Sequence, residues 1–188
     1  MSRAYAVISL TIGLALLAIT VAAAPKTTKP RQQQVVELKN AKGDSVGTAT
    51  IVQGTRGVVI KLNLNGLPPG EHAIHIHQNA KCEADPSAPQ DAFKSAGPHF
   101  NPEGKKHGLK NPEGAHAGDM TNFAVSTDGT STARVVNPNV TLDTDVSNSL
   151  YSNGGTSLVI HAKPDDMKTD PAGNAGARIA CGVITQPK

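Results

Sequence analysis

The sequence predicts an all-β fold, an eight-stranded antiparallel barrel or sandwich that carries one long loop. Short runs of β-branched residues are separated by turn residues, and the 188-residue chain contains 18 Gly and 13 Pro. No segment beyond the N-terminal region has the apolar stripe of an amphipathic helix. The strand pattern stops after His77 for about forty residues, a length that in a compact domain indicates a functional or a disordered loop.

The strands follow one another as a meander before and after that loop. Turn-forming residues lie at 42–44, 54–57 and 68–70, and again at 127–130. Between them the pattern predicts strands at 34–39, 47–53, 57–64, 71–78, 121–127, 131–137, 156–162 and 178–184.

The first 24 residues have the features of a secretory signal peptide. Arg3 precedes an apolar run that ends in small residues. Cleavage is expected after Ala24 or after Ala23. Ala23 is the alternative because Pro25 would hinder cleavage of the bond that follows Ala24. The alternative is an uncleaved membrane anchor, because the run is long enough to span a bilayer. Residues 25–33 are polar and are interpreted as a flexible linker, and residues 34–188 as one domain.

The charge distribution excludes one class of partner. The formal net charge is +3, and the basic residues are scattered among acidic ones. This pattern is not that of a protein that binds nucleic acid. A small positive excess is compatible with a small anionic substrate, if the charges lie around a cleft.

The strand at 71–78 carries a pair of candidate metal ligands. With a period of two, His75 and His77 project from one face and Ile74 and Ile76 from the other. Two imidazoles at such spacing can bind one ion, and imidazole suits copper and zinc better than magnesium or calcium. The same parity places His72 on the isoleucine face, so it is not predicted to be a ligand.

All seven histidines lie in the long loop or on the strands beside it, and they form two groups. Within the loop, the spacing of His99, His107, His116 and Asp119 allows the chain to fold around a tetrahedral ion. The strand-borne group of His75, His77 and His161 is stiffer and suits a redox metal. The sequence therefore predicts two ions.

At these residues the chain resembles the copper/zinc superoxide dismutases of the secreted bacterial kind. The resemblance covers about residues 34–186 and implies a Greek-key barrel with a metal-binding loop. The matching segments are Gly70-Glu-His-Ala-Ile-His-Ile-His77, Ser95-Ala-Gly-Pro-His-Phe-Asn-Pro102, His107 to Asp119, Gly155-Thr-Ser-Leu-Val-Ile-His-Ala-Lys-Pro-Asp-Asp166 and Gly173-Asn-Ala-Gly-Ala-Arg-Ile-Ala-Cys-Gly182.

The resemblance implies a role for each candidate residue. His99 would bridge the two ions, Asp165 would link His107 to His75, Arg178 would stand at the channel mouth, and His72 would be structural. The implied copper ligands are His75, His77, His99 and His161, and the implied zinc ligands are His99, His107, His116 and Asp119.

The implied activity is conversion of superoxide to dioxygen and hydrogen peroxide. Copper would cycle between two oxidation states, zinc would support the bridging His99, and the enzyme would act outside the cytoplasm, in the periplasm or beyond the cell. A homodimer or a monomer is expected, with no stable membrane partner. The alternatives are a copper-binding or copper-storage protein on the same scaffold and a metal-free structural domain.

The chain has two cysteines, Cys82 in the loop and Cys181 near Arg178. In an exported chain such a pair is interpreted as a disulfide, and two free buried thiols are the alternative.

The chain also differs from the eukaryotic enzymes. The stretch between Cys82 and His99 is longer, and the loop before Arg178 is short, so dimer contacts and long-range steering cannot be transferred by resemblance.

Overall fold

A computed structural model describes residues 1, 32–85, 87–88 and 91–187, and it is all-β as predicted. Apart from Met1, the predicted signal peptide lies outside the described residues, as does nearly all of the predicted linker, while Gln33 already belongs to the first strand. The strands are β1 (Gln33–Lys39), β2 (Ser45–Gln53), β3 (Val58–Leu64), β4 (Gly70–His72), β5 (Ile74–His77), β6 (Phe123–Val125), β7 (Arg134–Asn137), β8 (Thr156–His161) and β9 (Arg178–Ile184).

Seven of these strands form one antiparallel sheet in the order β5-β8-β9-β1-β2-β3-β7. The remaining strands, β4 and β6, pair as a separate two-stranded sheet. Two single-turn 3₁₀ helices, Lys94–Ala96 and Ser152–Gly154, interrupt the connecting segments. Within the described residues, no helix is long and apolar enough to cross a membrane.

One apolar core joins both sheets. Alternate residues of β1, β2 and β3 are buried, as in Val36, Ile51 and Ile60, and their neighbours face outward. Ile74 of β5 and Phe123 of β6 belong to the same cluster. Because strands from both ends of the order reach one core, the long sheet must curl around it, and β4 and β6 help to close it.

The predicted strand at 71–78 is two strands, because the chain changes sheets at Ala73. The Ala73 amide donates to the Lys163 carbonyl, and the His161 amide donates to the Ala73 carbonyl, each at 2.9 Å. This exchange ties the start of β5 to the end of β8, while β4 turns away to pair with β6. The residue pattern continues through the break, so the sequence alone did not reveal it.

The predicted disulfide is confirmed. Cys82 and Cys181 are bonded, with their Cα atoms 5.6 Å apart. Beside the bond, Phe93 and Val159 belong to a second, smaller apolar cluster together with Cys181. The beginning of the long loop is therefore attached to β9, three residues after Arg178.

Candidate metal centre

Strand β5 separates its side chains as the sequence predicts. Ile74 and Ile76 are fully buried in the main core. His75 and His77 are fully buried as well, but they meet other histidines instead. The apolar face thus fixes the strand, and the opposite face presents two imidazoles in a rigid position.

We call His75, His77, His99 and His161 the strand cluster, since three of the four come from β5 and β8. One ring nitrogen from each lies within 4.8 Å of the others. His75 Nε2 lies 2.8 Å from Asp165 Oδ2, and His77 Nδ1 donates to the Gly97 carbonyl at 2.8 Å. His77 Nε2 is left 3.4 Å from His161 Nε2. Hydrogen bonds outside the cluster thus orient the rings and leave inner nitrogens for a cation.

The loop reaches this cluster by pairing with the free edge of β5. The Phe100 amide donates to the Ile76 carbonyl at 2.8 Å, and the Ile76 amide donates to Gly118 at 3.0 Å. Gly118 is required there, because a Cβ atom would lie 2.2 Å from the Ile76 carbonyl oxygen. These bonds place His99 against His77, with which it forms an isolated β-bridge.

We call His99, His107, His116 and Asp119 the loop cluster, and it is centred on one carboxylate oxygen. Asp119 Oδ1 lies 2.9 Å from His99 Nδ1, 3.0 Å from His107 Nδ1 and 3.3 Å from His116 Nδ1. The other oxygen, Oδ2, accepts from the Gly108 amide at 2.8 Å and the His116 amide at 3.0 Å. Three nitrogens and one oxygen are a donor set that zinc takes in tetrahedral sites.

Three buried ring nitrogens indicate that the residues fit metal ions. His75 Nδ1, His99 Nε2 and His107 Nδ1 have no hydrogen-bond partner within the described part of the chain. His107 Nδ1 is 3.0 Å from Asp119 Oδ1, but the angle is not that of a hydrogen bond. Buried polar atoms without partners are costly, and a cation in each cluster would satisfy these nitrogens.

His99 is the one residue that both clusters share. Its Nδ1 belongs to the loop cluster beside Asp119, while its Nε2 is the unpartnered nitrogen. The His99 ring centroid lies 4.1 Å from that of His75 and 4.8 Å from that of His77. One imidazole therefore has a nitrogen available to each ion.

Asp165 joins the two clusters from outside. Its carboxylate lies 2.8 Å from His75 Nε2 and 3.0 Å from His107 Nε2. The Asn122 side chain holds the Asp165 backbone through two hydrogen bonds, of 2.9 and 3.0 Å. A Cβ atom on Gly173 would lie 1.7 Å from Asp165 Oδ1, so the carboxylate occupies space that only glycine leaves open. This arrangement orients one ring of each cluster.

The metal-free clusters differ in their electrostatics. Burial lowers the pKa of His99 to about 3, and burial likewise holds the pKa values of His77 and His161 well below the ordinary value. Burial would also lower the pKa of His107, but the neighbouring carboxylates of Asp119 and Asp165 raise it to about 9.

The carboxylates remain ionised. Burial alone would raise the pKa values of Asp119 and Asp165, but hydrogen bonds from the histidines hold both well below the ordinary range. These negative charges, together with the neutral imidazoles of His77, His99 and His161, are what a cation requires of its ligands.

A cavity of 770 Å³ opens beside the strand cluster, and its lining includes His77, His99, His161 and Arg178. The Arg178 side chain is 18% exposed, and its Nη1 donates to the Phe93 carbonyl at 2.7 Å. Burial lowers the pKa of Arg178, and the charge of Asp91 opposes that shift. A guanidinium thus stands beside the histidines where a small anion can enter.

The structure also places residues that sequence reasoning passed over. Asn122 supports Asp165, and Asp170 accepts a hydrogen bond from the His107 amide at 2.6 Å. Asp91 lies 3.4 Å from Arg178 Nε. None of the three has a sequence signal of its own. His72 lies outside both clusters, with its ring nitrogens 2.8 Å from the carbonyl oxygens of His161 and Pro68.

Comparison with known proteins agrees with this geometry. The family model described as "Copper/zinc superoxide dismutase (SODC)" matches residues 45–184. The chain is 54% identical over 149 residues to "Superoxide dismutase [Cu-Zn] 2" of Aquifex aeolicus, which covers 79% of this chain and 84% of that protein.

Solved structures show the same fold. A SOD-like protein from Bacillus subtilis superposes with a TM-score of 0.72 at 36% identity, over 79% of this chain and 96% of that one. Cu/Zn superoxide dismutase from Brucella abortus gives a TM-score of 0.67 at 30% identity, over 81% of this chain and 99% of that one. The chain therefore belongs to the copper/zinc superoxide dismutase family and is an oxidoreductase with copper and zinc as its cofactors.

Proposed function

We propose that this protein disproportionates superoxide, so that two superoxide anions and two protons give one dioxygen and one hydrogen peroxide. Family membership supports the activity. The observation that carries the residue assignment is the single imidazole of His99, which has one nitrogen for each cluster. In this proposal His75, His77, His99 and His161 hold copper, and His99, His107, His116 and Asp119 hold zinc.

The metals divide the chemistry between them. When bound, copper supplies the one-electron redox cycle, and zinc, which has no redox chemistry, supplies a fixed positive charge beside His99. The protein contributes position: the core-anchored β5 and β8 fix the strand-borne rings, and Asp165 fixes one ring in each cluster.

His99 moves a proton at Nε2. This nitrogen has no protein partner in the described structure, and its ring lines the cavity. A proton on Nε2 can therefore pass to an oxygen species in the cavity without rearrangement of the backbone. The second nitrogen, Nδ1, stays beside Asp119, which keeps the ring in place during the transfer.

Arg178 attracts and orients the substrate. Its guanidinium is at the wall of the same cavity and is held by the Phe93 carbonyl. A fixed positive charge next to low-dielectric walls raises the encounter rate of an anion. Copper storage, the second candidate function, would not require a guanidinium at the cavity wall or a shared imidazole.

We further propose that the protein is exported to the periplasm or beyond the cell. The Cys82–Cys181 disulfide supports this location, because such bonds persist in oxidising compartments. The apolar N-terminal run after Arg3 supports removal of residues 1–24 as a signal peptide. Intact-mass analysis of the exported protein tests this. A mass that corresponds to a chain beginning at Met1 would favour a membrane anchor.

The activity is tested on the purified exported protein loaded with copper and zinc. The proposal predicts superoxide consumption with hydrogen peroxide as product, together with one copper-type and one zinc-type site per chain by metal analysis. Copper bound stoichiometrically without superoxide consumption would contradict the proposal and favour storage.

A further inference from the structure

Among the described residues, the guanidinium of Arg178 has two polar protein contacts, and the proposed function uses only one of them. Nη1 donates to the Phe93 carbonyl at 2.7 Å, and Nε lies 3.4 Å from Asp91 Oδ1. In the described part of the chain, Nη2 has no hydrogen-bond partner. The two contacts therefore engage Nη1 and Nε and leave Nη2 as a donor for a small anion.

The backbone of Asp91 is held in place by hydrogen bonds. Its amide donates to the Ala88 carbonyl at 2.9 Å, and its carbonyl accepts from the Lys94 amide at 3.0 Å, at the start of a 3₁₀ turn. The same segment is attached to β9 by the Cys82–Cys181 disulfide. Since Arg178 begins β9, the backbones of Asp91 and Arg178 belong to one framework.

The charge of Asp91 opposes the role of its partner. Asp91 lines the same cavity as Arg178, and 45% of its side chain is exposed. A carboxylate at the entrance repels an incoming anion and partly cancels the field of the guanidinium. A negative charge in that position is unfavourable for capture unless it also does something useful for the arginine.

We propose that Asp91 is a positioning residue for superoxide capture, which fixes Arg178 through Nε so that Nη2 remains available to the anion. This inference rests on the proposed function. It predicts that the carboxylate has two separable effects on capture. Its geometry raises the rate at every salt concentration, and its charge lowers the rate only where the charge is not screened.

Two substitutions separate these effects. Asp91→Asn keeps an oxygen beside Nε but removes the charge, whereas Asp91→Ala removes both. Screening at high ionic strength suppresses the charge effect, because the Debye length falls to about 3 Å at 1 M salt. Glu71→Gln is the matched control: it removes one negative charge from β4, and Glu71 is exposed and does not line the cavity.

The experiment measures kcat/KM for superoxide in fully metallated enzymes at low and high ionic strength. We expect Asp91→Asn to raise kcat/KM by about twofold at low salt and to match wild type at high salt. We expect Asp91→Ala to fall about threefold below wild type at high salt, since orientation is lost. Identical behaviour of the two variants at every salt concentration would overturn the positioning role.

A second measurement does not depend on catalysis. In the metal-free protein, ¹H–¹⁵N spectra report exchange of the Arg178 Nε–H with water. Wild type and Asp91→Asn should show slow exchange, and Asp91→Ala faster exchange by about fivefold, because no side-chain oxygen then lies beside Nε. Equal exchange in all three would contradict the inference. An inactive wild type would contradict the proposed function, and the exchange result would still decide whether Asp91 positions Arg178.

Discussion

The strand cluster and the loop cluster share a histidine but are built in different ways. His75, His77 and His161 lie on β5 and β8, whose alternate residues are fully buried in the apolar core. His107, His116 and Asp119 come from the segment between β5 and β6, whose described residues form no strand. Its order comes from hydrogen bonds, such as those of the Gly108 and His116 amides to Asp119.

This difference indicates how each site acquires its shape. A cluster on packed strands is preorganised, since burial of Ile74, Ile76 and Ile160 fixes the backbone whether or not an ion is bound. The part of the loop between Phe100 and Ala117, which are themselves buried in the core, contains no buried apolar side chain and must offset its conformational entropy in another way. Metal binding can do so, because site formation and ordering are then coupled.

His99→Ala breaks the connection between the two clusters and should have the largest effect. Copper should remain on His75, His77 and His161, while zinc loses a ligand and binds more weakly. Dismutase activity should fall by about 10³-fold, more than copper occupancy does, because the proton at Nε2 is lost with the bridge. Metal content and activity, measured on the same samples, check this.

His116→Ala is the matched control for that variant, since it alters the loop cluster alone. It should lose zinc affinity but keep more activity than His99→Ala. Retention of both metals and full activity by His99→Ala would rule out the shared imidazole.

Cys82→Ser tests how far the disulfide holds the loop against β9. The bond joins residues 99 apart in sequence, and the chain-entropy model assigns a loop of that size about 5 kcal/mol as an upper value. The melting temperature should fall under oxidising conditions and match wild type under strong reduction. Cys181→Ser should behave identically, and equal melting of all forms in oxidising buffer would mean that the thiols do not pair in solution.

The pH dependence of the metal-free protein should distinguish the clusters. The pKa of His99 is about 3, below its unfolded value of about 6.5. Its contribution to the free energy of unfolding is therefore full above pH 6.5 and is lost as the pH falls toward 3. His77 and His161 act in the same direction. The pKa of His107 is about 9, so its contribution is full below pH 6.5 and is lost as the pH rises through 9.

The free energy of unfolding should therefore peak near pH 6.5 and fall by at least about 3 kcal/mol toward pH 4.5, since three histidines act together, and by about 3 kcal/mol toward pH 9. Denaturant unfolding across this range, after exhaustive chelation, measures it. A free energy that is constant from pH 4.5 to 9 would contradict the assigned environments.

Arg178→Glu sharpens the comparison from the cavity side and should have the smallest of these effects. Arg178 belongs to neither cluster, so both metals should stay bound. The bimolecular rate should fall about tenfold at low salt, and the loss should shrink as ionic strength rises. A rate that is unchanged at low salt would remove Arg178 from the path of the substrate.

The strand cluster could be predicted closely from sequence, because a period of two decides which side chains share a face. That rule places His75 and His77 on one face and Ile74 and Ile76 on the other, and the structure shows the same separation. It could not show the change of sheet at Ala73, where the reason is a pair of long-range hydrogen bonds with the segment around β8. Strands 121–127 and 131–137 were likewise predicted too long.

The loop cluster could be predicted as a group of residues but not as a geometry. Spacing marked His99, His107, His116 and Asp119 as potential ligands, yet nothing in it places Asp119 Oδ1 between three rings. Supporting residues such as Asn122 and Asp91 act through contacts with distant segments. Their roles follow from folding of the loop and leave no local pattern.

Amide hydrogen exchange in the metal-free and zinc-loaded protein tests the contrast between the two clusters most directly. Zinc should slow exchange of the Gly108 and His116 amides, which donate to Asp119, by at least about tenfold. The β8 amides of Leu158 and Ile160 should be equally protected with and without zinc, because the core fixes them. Equal protection of the loop amides in both states, or loss of β8 protection without metal, would contradict this account.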